Sequence, residues 1–297
     1  MTTSTQRPLG APVSRRTLLA GVAAGVVATV GCSARPTSTA PPTRSEPSTV
    51  ASLTSDRPFY IAHRGGGGDW PEMTGYAYEQ ASRLPGLQAL EISVCISADG
   101  VLVCSHDPTT ERVGGVPYTI ADETWETLSS VQVSAATTVD PSQPSRPLTR
   151  FEDVAEAYAD RFVLFVEPKV PAAAAPLMAR LAALGQPERV VWKQYVNSGE
   201  FVRAKEHGFS TWGYVLNQPS HLGTNLTRYA AADYLDMLGA PKAEATTLVS
   251  EVVTAATRQN KPTIMWPIST SADRDRALRL GCAGLMTSRI TELLATA

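Results

Sequence analysis

Between Gln88 and His106 the chain reads QALEISVCISADGVLVCSH, and the fold turns on how its two apolar halves are joined. Gln88–Cys95 and Val101–His106 both read as strands, and only five residues, Ile96 to Gly100, lie between Cys95 and Val101. A parallel crossover needs a dozen residues or more, whereas Asp99-Gly100 is a strong hairpin signal. The second run therefore returns antiparallel on the first. Further strands are expected at Phe59–His63, Phe162–Pro168, Val190–Tyr195, Thr211–Leu216, Asp233–Leu238, Pro262–Ile268 and Ala283–Thr287. Helices are expected at Glu72–Arg83, Phe151–Asp160, Ala172–Leu184, Ser198–Glu206, Glu244–Gln259 and Ser271–Leu280. With the hairpin return set aside, eight strands alternate with helices. That is the α/β pattern of a (β/α)8 barrel of the TIM type, with an antiparallel hairpin on its second strand. A doubly wound sheet would be expected to carry Gly-x-Gly-x-x-Gly after its first strand, and none is there.

The turn also carries a register. If Asp99-Gly100 is a two-residue turn, Cys95 faces Cys104 and Ser93 faces His106, with Glu91, Ser93 and His106 on one face. The cysteine pair would then have Cα atoms about 4.5 Å apart, at the short end of the range for a disulfide. A three-residue loop, Ala98-Asp99-Gly100, would instead oppose Cys95 to Val103. The two-residue turn is the expectation taken forward.

The chain has 297 residues, 43% hydrophobic and 18% charged, which excludes wholesale disorder. Its 26 Lys and Arg against 28 Asp and Glu offer no basic excess to hold a nucleic-acid backbone. No protein partner is evident. Residues 1–31 contain Arg7, Arg15 and Arg16, no acidic residue, and an uncharged run from Thr17 to Gly31. Fifteen residues are short for a bilayer core, which takes about 20 in a helix, so the run reads as an export signal. Ser14-Arg15-Arg16-Thr17-Leu18-Leu19 resembles a twin-arginine signal. Thr29-Val30-Gly31-Cys32 resembles a lipobox, with Thr29 where Leu or Val is usual. Lipidation of Cys32 would make it the mature N-terminus, anchored on the extracytoplasmic side of the membrane; simple secretion is the alternative. Residues 32–56 are expected to be an extended tether, because 15 of the 24 residues from Ser33 to Asp56 are Ser, Thr or Pro. Residues 57–297 form the barrel domain. Without residues 1–31 the balance is 23 basic against 28 acidic residues, so there is no polybasic membrane patch.

Catalytic groups of such barrels sit at the C-terminal ends of strands. Those ends carry His63-Arg64, Glu91, Glu167 with Lys169, and Lys193, and the hairpin adds His106-Asp107. Two histidines, two carboxylates and several cations at one mouth suit phosphoryl chemistry: cations for the anion, an acid/base pair for the protons.

In order along the chain, these residues resemble the glycerophosphodiester phosphodiesterase family. Ile61-Ala62-His63-Arg64-Gly65 is similar to its His-Arg-Gly motif, and Pro71-Glu72 to its Pro-Glu-Asn. Leu90-Glu91-Ile92-Ser93-Val94 is similar to its Glu-x-Asp-Val, followed by Asp99-Gly100 and His106-Asp107. Glu167-Pro168-Lys169 is similar to its Glu-x-Lys, and Trp266 and Gly284-Leu285-Met286-Thr287 to its last two strands. The resemblance implies a hydrolase that splits glycerophosphodiesters into glycerol 3-phosphate and an alcohol. It gives His63 and His106 as acid/base pair, Arg64 and Lys169 as catalytic cations, and Glu91 and Glu167 as ligands of Ca²⁺ or Mg²⁺. Lys193 and Trp266 are expected to touch the small-molecule phosphodiester or lipid head group.

Two positions depart from the pattern: Ser93 replaces a metal-binding carboxylate, and Met73 replaces the Asn after Pro-Glu. The metal could then bind weakly, recruit Glu72, or be dispensed with. In the last case Arg64, Lys169 and Lys193 would hold the phosphate, as in the related metal-independent phospholipases C. Ser93 also leaves open a barrel that binds phosphodiesters with little turnover. Gly65–Gly68 are either an approach for phosphate or simply a loop. Tyr195, Trp212 and Tyr214 read as core or pocket wall, and His207 as a helix C-terminal charge. His221 is left without a role.

Overall fold

A computed structural model describes residues 48–295; the expected export signal, Cys32 and the expected tether up to residue 47 lie outside the described residues. Its strands are β1 Phe59–Ala62, β2 Ala89–Ile96, β3 Leu102–Cys104, β4 Gln132–Val133, β5 Arg146–Pro147, β6 Val163–Pro168, β7 Val190–Tyr195, β8 Ser210–Tyr214, β9 Met237–Pro241, β10 Thr263–Ile268 and β11 Gly284–Thr287. Eight of them, β1, β2 and β6–β11, pair in parallel, and β1 bonds both β11 and β2, so the sheet closes. The expected barrel is the observed one. The six expected helices are present, each within a few residues of its expected ends, and Thr224–Ala231 and the last helix, Ile290–Ala295, are additional.

The period of two along each strand divides the molecule into layers. Phe59, Ile61, Ala89, Val163, Phe165, Val191, Trp212, Met237, Ile264 and Met286 share one apolar cluster that fills the barrel. The intervening residues, among them Tyr60, Leu90, Ile92, Leu164, Val166, Trp192 and Leu285, pack outward in a second cluster with Leu177, Leu181, Phe201, Val249 and Val252 of the helices. Two residues further along the inner rows the side chains turn polar. Phe59 and Ile61 lead to His63, Ala89 to Glu91 and Ser93, Phe165 to Glu167, and Val191 to Lys193.

The hairpin return is antiparallel as expected, but its register is not. Val94 pairs with Cys104, Cys95 with Val103 and Ile96 with Leu102. The connection is the three-residue loop Ala98-Asp99-Gly100. The Ser97 amide donates to the Val101 carbonyl at 2.9 Å, the Ser97 hydroxyl bonds Asp99 at 2.6 Å and accepts from the Val101 amide, and Gly100 takes φ +84°. A left-handed glycine closing a three-residue loop is the bulged hairpin geometry. One residue of slip turns the cysteines to opposite faces: Cys104 joins the barrel–helix layer, while Cys95 packs with Val103, Ile120, Leu128 and Val133. Both are free thiols, and the expected disulfide register is overturned.

The extended tether expected as far as residue 56 is not found over residues 50–55. Val50–Ser55 is a helix capped by Thr49, whose hydroxyl accepts from the Ser52 amide at 3.1 Å while Ser52 reciprocates. Its Val50 and Leu53 are buried in the inner barrel cluster. Burying a leucine is worth about 1.5–3 kcal/mol, enough to hold a short helix that could not persist alone.

Candidate active site

β1 bonds β2 only at Ala89 and Leu90, so the far half of β2 has a free edge there. β3 takes that edge over Val94–Ile96, and the Ser105 amide then donates to the Ser93 carbonyl at 3.0 Å. The return delivers His106 to the barrel mouth beside the end of β1. His63, Arg64, His106, Glu167, Lys169, Lys193, Tyr214 and Trp266 there line one cavity of about 270 Å³. The expected site residues within the described chain come together, Glu91 lying buried beneath Arg64 and Lys193.

The turn after β1 is tight. Arg64 is left-handed (φ +55°), and its backbone amide donates to Glu91 Oε2 at 2.7 Å. The Gly65–Gly68 run is explained by packing. A Cβ on Gly67 would stand 2.8 Å from Glu72 Cβ, and one on Gly68 would stand 2.8 Å from the Ser288 carbonyl oxygen. The loop lies against Glu72 and Ser288, and both of these touch the site. Ser288 Oγ is 2.9 Å from His63 Nδ1. Glu72 accepts from the Arg64 guanidinium at 3.0 and 3.1 Å and from Arg112 at 2.6 Å.

His63 is buried, and desolvation holds its pKa down to about 3 against the pull of Glu91. His106 is also lowered, first by burial and then by the charges of Arg64 and Lys169. Its Nδ1 lies 2.7 Å from Asp107 Oδ1, and Arg112 Nε donates to the other oxygen of Asp107.

Lys193 Nζ stands 2.7 Å from Glu91 Oε1 and 2.7 Å from Glu167 Oε2. Ser93 Oγ donates to Glu91 at 3.1 Å; Tyr214 Oη and Lys169 Nζ donate to Glu167 at 2.7 and 3.1 Å. Burial raises the pKa of both carboxylates, but the surrounding cations, Lys193 foremost, outweigh it and both end below the ordinary range. Burial likewise disfavours the charged Lys193, and the two carboxylates more than restore it.

These residues do not fit a divalent ion. The space between the two expected metal carboxylates is taken by an ammonium, and the third ligand position is a hydroxyl already bonded to Glu91. Among the described residues no group of three or more His, Cys, Asp or Glu is arranged to hold a metal. Glu72 is no substitute, since two arginines occupy it.

Sequence reading missed Arg112, Ser288 and the hydrogen bond of Tyr214. Only Tyr214 carried a signal, its place at a strand end. His221 is buried, and its Nδ1 accepts from the Leu216 amide at 3.0 Å, which shapes the β8 loop. His207 ends its helix and stacks on Phe209.

Residues 63–292 match the model of the glycerophosphoryl diester phosphodiesterase family. The chain is 39% identical over 66 residues to glycerophosphodiester phosphodiesterase GDPD6 of Arabidopsis thaliana, covering 22% of this chain and 18% of that one. It is 32% identical over 115 residues to bovine glycerophosphodiester phosphodiesterase 1, covering 38% of this chain and 34% of that one. The matches thus span about a third or less of these relatives. A glycerophosphodiester phosphodiesterase of Thermotoga maritima superposes with a TM-score of 0.64 at 19% identity, covering 80% of this chain and 97% of that one. A phosphodiesterase of Oleispira antarctica, solved with its product sn-glycerol-3-phosphate, gives 0.63 at 18% identity, covering 82% and 98%. Matched by the family model from His63 in the first βα turn to Glu292 in the last helix, the chain belongs to the glycerophosphoryl diester phosphodiesterase family.

Proposed function

We propose that the protein hydrolyses glycerophosphodiesters to glycerol 3-phosphate and an alcohol. The observation that carries the reading is the single cavity shared by His63, His106, Arg64 and Lys169. A phosphodiester is an anion, and Arg64 and Lys169 supply the charge to hold it. Hydrolysis forms a bond from a water oxygen to phosphorus and breaks the bond to the alcohol oxygen. One proton leaves the water and one reaches the departing alkoxide. Asp107 engages His106 Nδ1 and leaves Nε2 to take the first proton, an orienting role familiar from His–Asp pairs. His63 serves the departing oxygen, and the charge of the bound phosphodiester favours its protonated form. Trp266 and Tyr214, with ring centroids 5.2 Å apart, form the apolar wall for the alcohol. The test is glycerol 3-phosphate release from a panel of glycerophosphodiesters by the parent and by His106→Ala.

We further propose that the protein is exported and tethered through lipid on Cys32. The twin arginines, the uncharged run and the small residue before Cys32 support this. Membrane fractionation of the parent and Cys32→Ser tests it: the parent is expected with the membrane and the variant in the soluble fraction.

A further inference from the structure

We propose that the Lys193 ammonium is the resident cation of this site, standing between Glu91 and Glu167 in place of a divalent ion. The proposal rests on the phosphodiesterase reading of the cavity and deepens it: turnover needs no metal.

Four observations converge. Nζ is equidistant, at 2.7 Å, from one oxygen of each carboxylate. Ser93 is the register partner of Glu167 on the neighbouring strand, so the carboxylate that would complete a metal site is missing directly opposite Glu167. Glu72 is held by Arg64 and Arg112 and cannot stand in. Each carboxylate already holds a cation: Lys193 bridges Glu91 and Glu167, and Lys169 bonds the second oxygen of Glu167. A divalent ion would have to expel a buried ammonium from both partners or sit beside it, and either arrangement leaves buried charge uncompensated.

The ammonium also does what an ion would do. It fixes Glu91, whose other oxygen holds the Arg64 amide and thereby the left-handed turn that presents His63 and Arg64. An ammonium has three donors, and the carboxylates take two. Lys193 lines the same cavity as His63 and His106, so the third donor is available to a phosphoryl oxygen.

The experiment is calorimetric titration of the purified protein with Ca²⁺ and with Mg²⁺, run beside glycerophosphodiester turnover with and without chelator. The parent is expected to show no saturable binding of either ion up to about 10 mM, beyond the weakest protein calcium sites. Its turnover should be unchanged by chelator. Lys193→Ala combined with Ser93→Asp rebuilds the carboxylate set without the ammonium. That variant is expected to bind one equivalent of ion at or below about 1 mM and to melt higher when the ion is added. Stoichiometric ion binding by the parent that is lost in Glu91→Gln overturns the proposal, as does a folded double variant that binds no ion. If the double variant does not fold, the parent titration and the chelator arm decide. If no glycerophosphodiester is turned over, the hydrolase reading fails, while the titrations still report on Lys193.

Discussion

His106 Nδ1 and Asp107 Oδ1, side chains of consecutive residues, lie 2.7 Å apart. Adjacent residues of an extended strand point to opposite faces, so this contact requires the chain to leave β3 after Cys104, which it does. Asp107→Asn should keep the fold and lower kcat more than it raises KM, because the ring loses its orientation while Arg64 and Lys169 remain. An unchanged kcat would remove Asp107 from the machinery.

Burial of His63 has a consequence for stability. Its folded pKa of about 3 lies below the ordinary histidine value, so between the two only the unfolded chain binds the proton. The group therefore contributes stability that is present above about pH 6.5 and is lost as pH falls toward 3, at up to about 1.4 kcal/mol per pH unit. Denaturant midpoints across this range should show a shallower slope in His63→Gln than in the parent. An equal slope would mean that the ring is not desolvated.

Removing one partner from the buried triad should be costly. Glu91→Gln leaves Lys193 with Glu167 alone and weakens the acceptor for Arg64, so a loss of about 3–5 kcal/mol is expected. Glu79→Gln, at an exposed pair with Arg83, should cost no more than about 1 kcal/mol. Urea unfolding of both variants checks the contrast.

Cys95, Cys104 and Cys282 are buried free thiols, and burial pushes Cys95 and Cys282 up to about 12. They should react with a thiol reagent only after unfolding, and reductant should not change the melting temperature. A disulfide between Cys95 and Cys104, located by peptide mapping of the unreduced chain, would contradict the hairpin register.

The barrel was legible because its signals are local: the five-residue gap before Val101 and the alternation of apolar strand runs with helical segments. His63, Glu167 and His106 were legible because each stands at or just past a strand end, and Glu91 and Lys193 because each interrupts an apolar strand. The register was not, because it depended on whether Ser97 would bond Asp99 and Val101 around a left-handed Gly100. Composition concealed the helix at Val50–Ser55, where two apolar residues among serines and threonines find a place in the barrel interior. Leu53→Ala should accordingly cost about 2–5 kcal/mol in thermal or urea unfolding, far above the effect of a change in a solvated tether. Arg112 and Ser288 reach the site from distant segments, and no spacing announces them. The lysine between the carboxylates was visible as Lys193, but its place between them depends on how β2, β6 and β7 align.

The most direct measurement is release of glycerol 3-phosphate from glycerophosphocholine, glycerophosphoethanolamine and glycerophosphoglycerol by the parent, His63→Ala and His106→Ala. The account predicts turnover by the parent on at least one of them. It predicts a fall of about 10²–10⁴-fold in each variant, with His106→Ala keeping the parent's melting temperature. No release by the parent from any of the three, or near-full release by either variant, would contradict it.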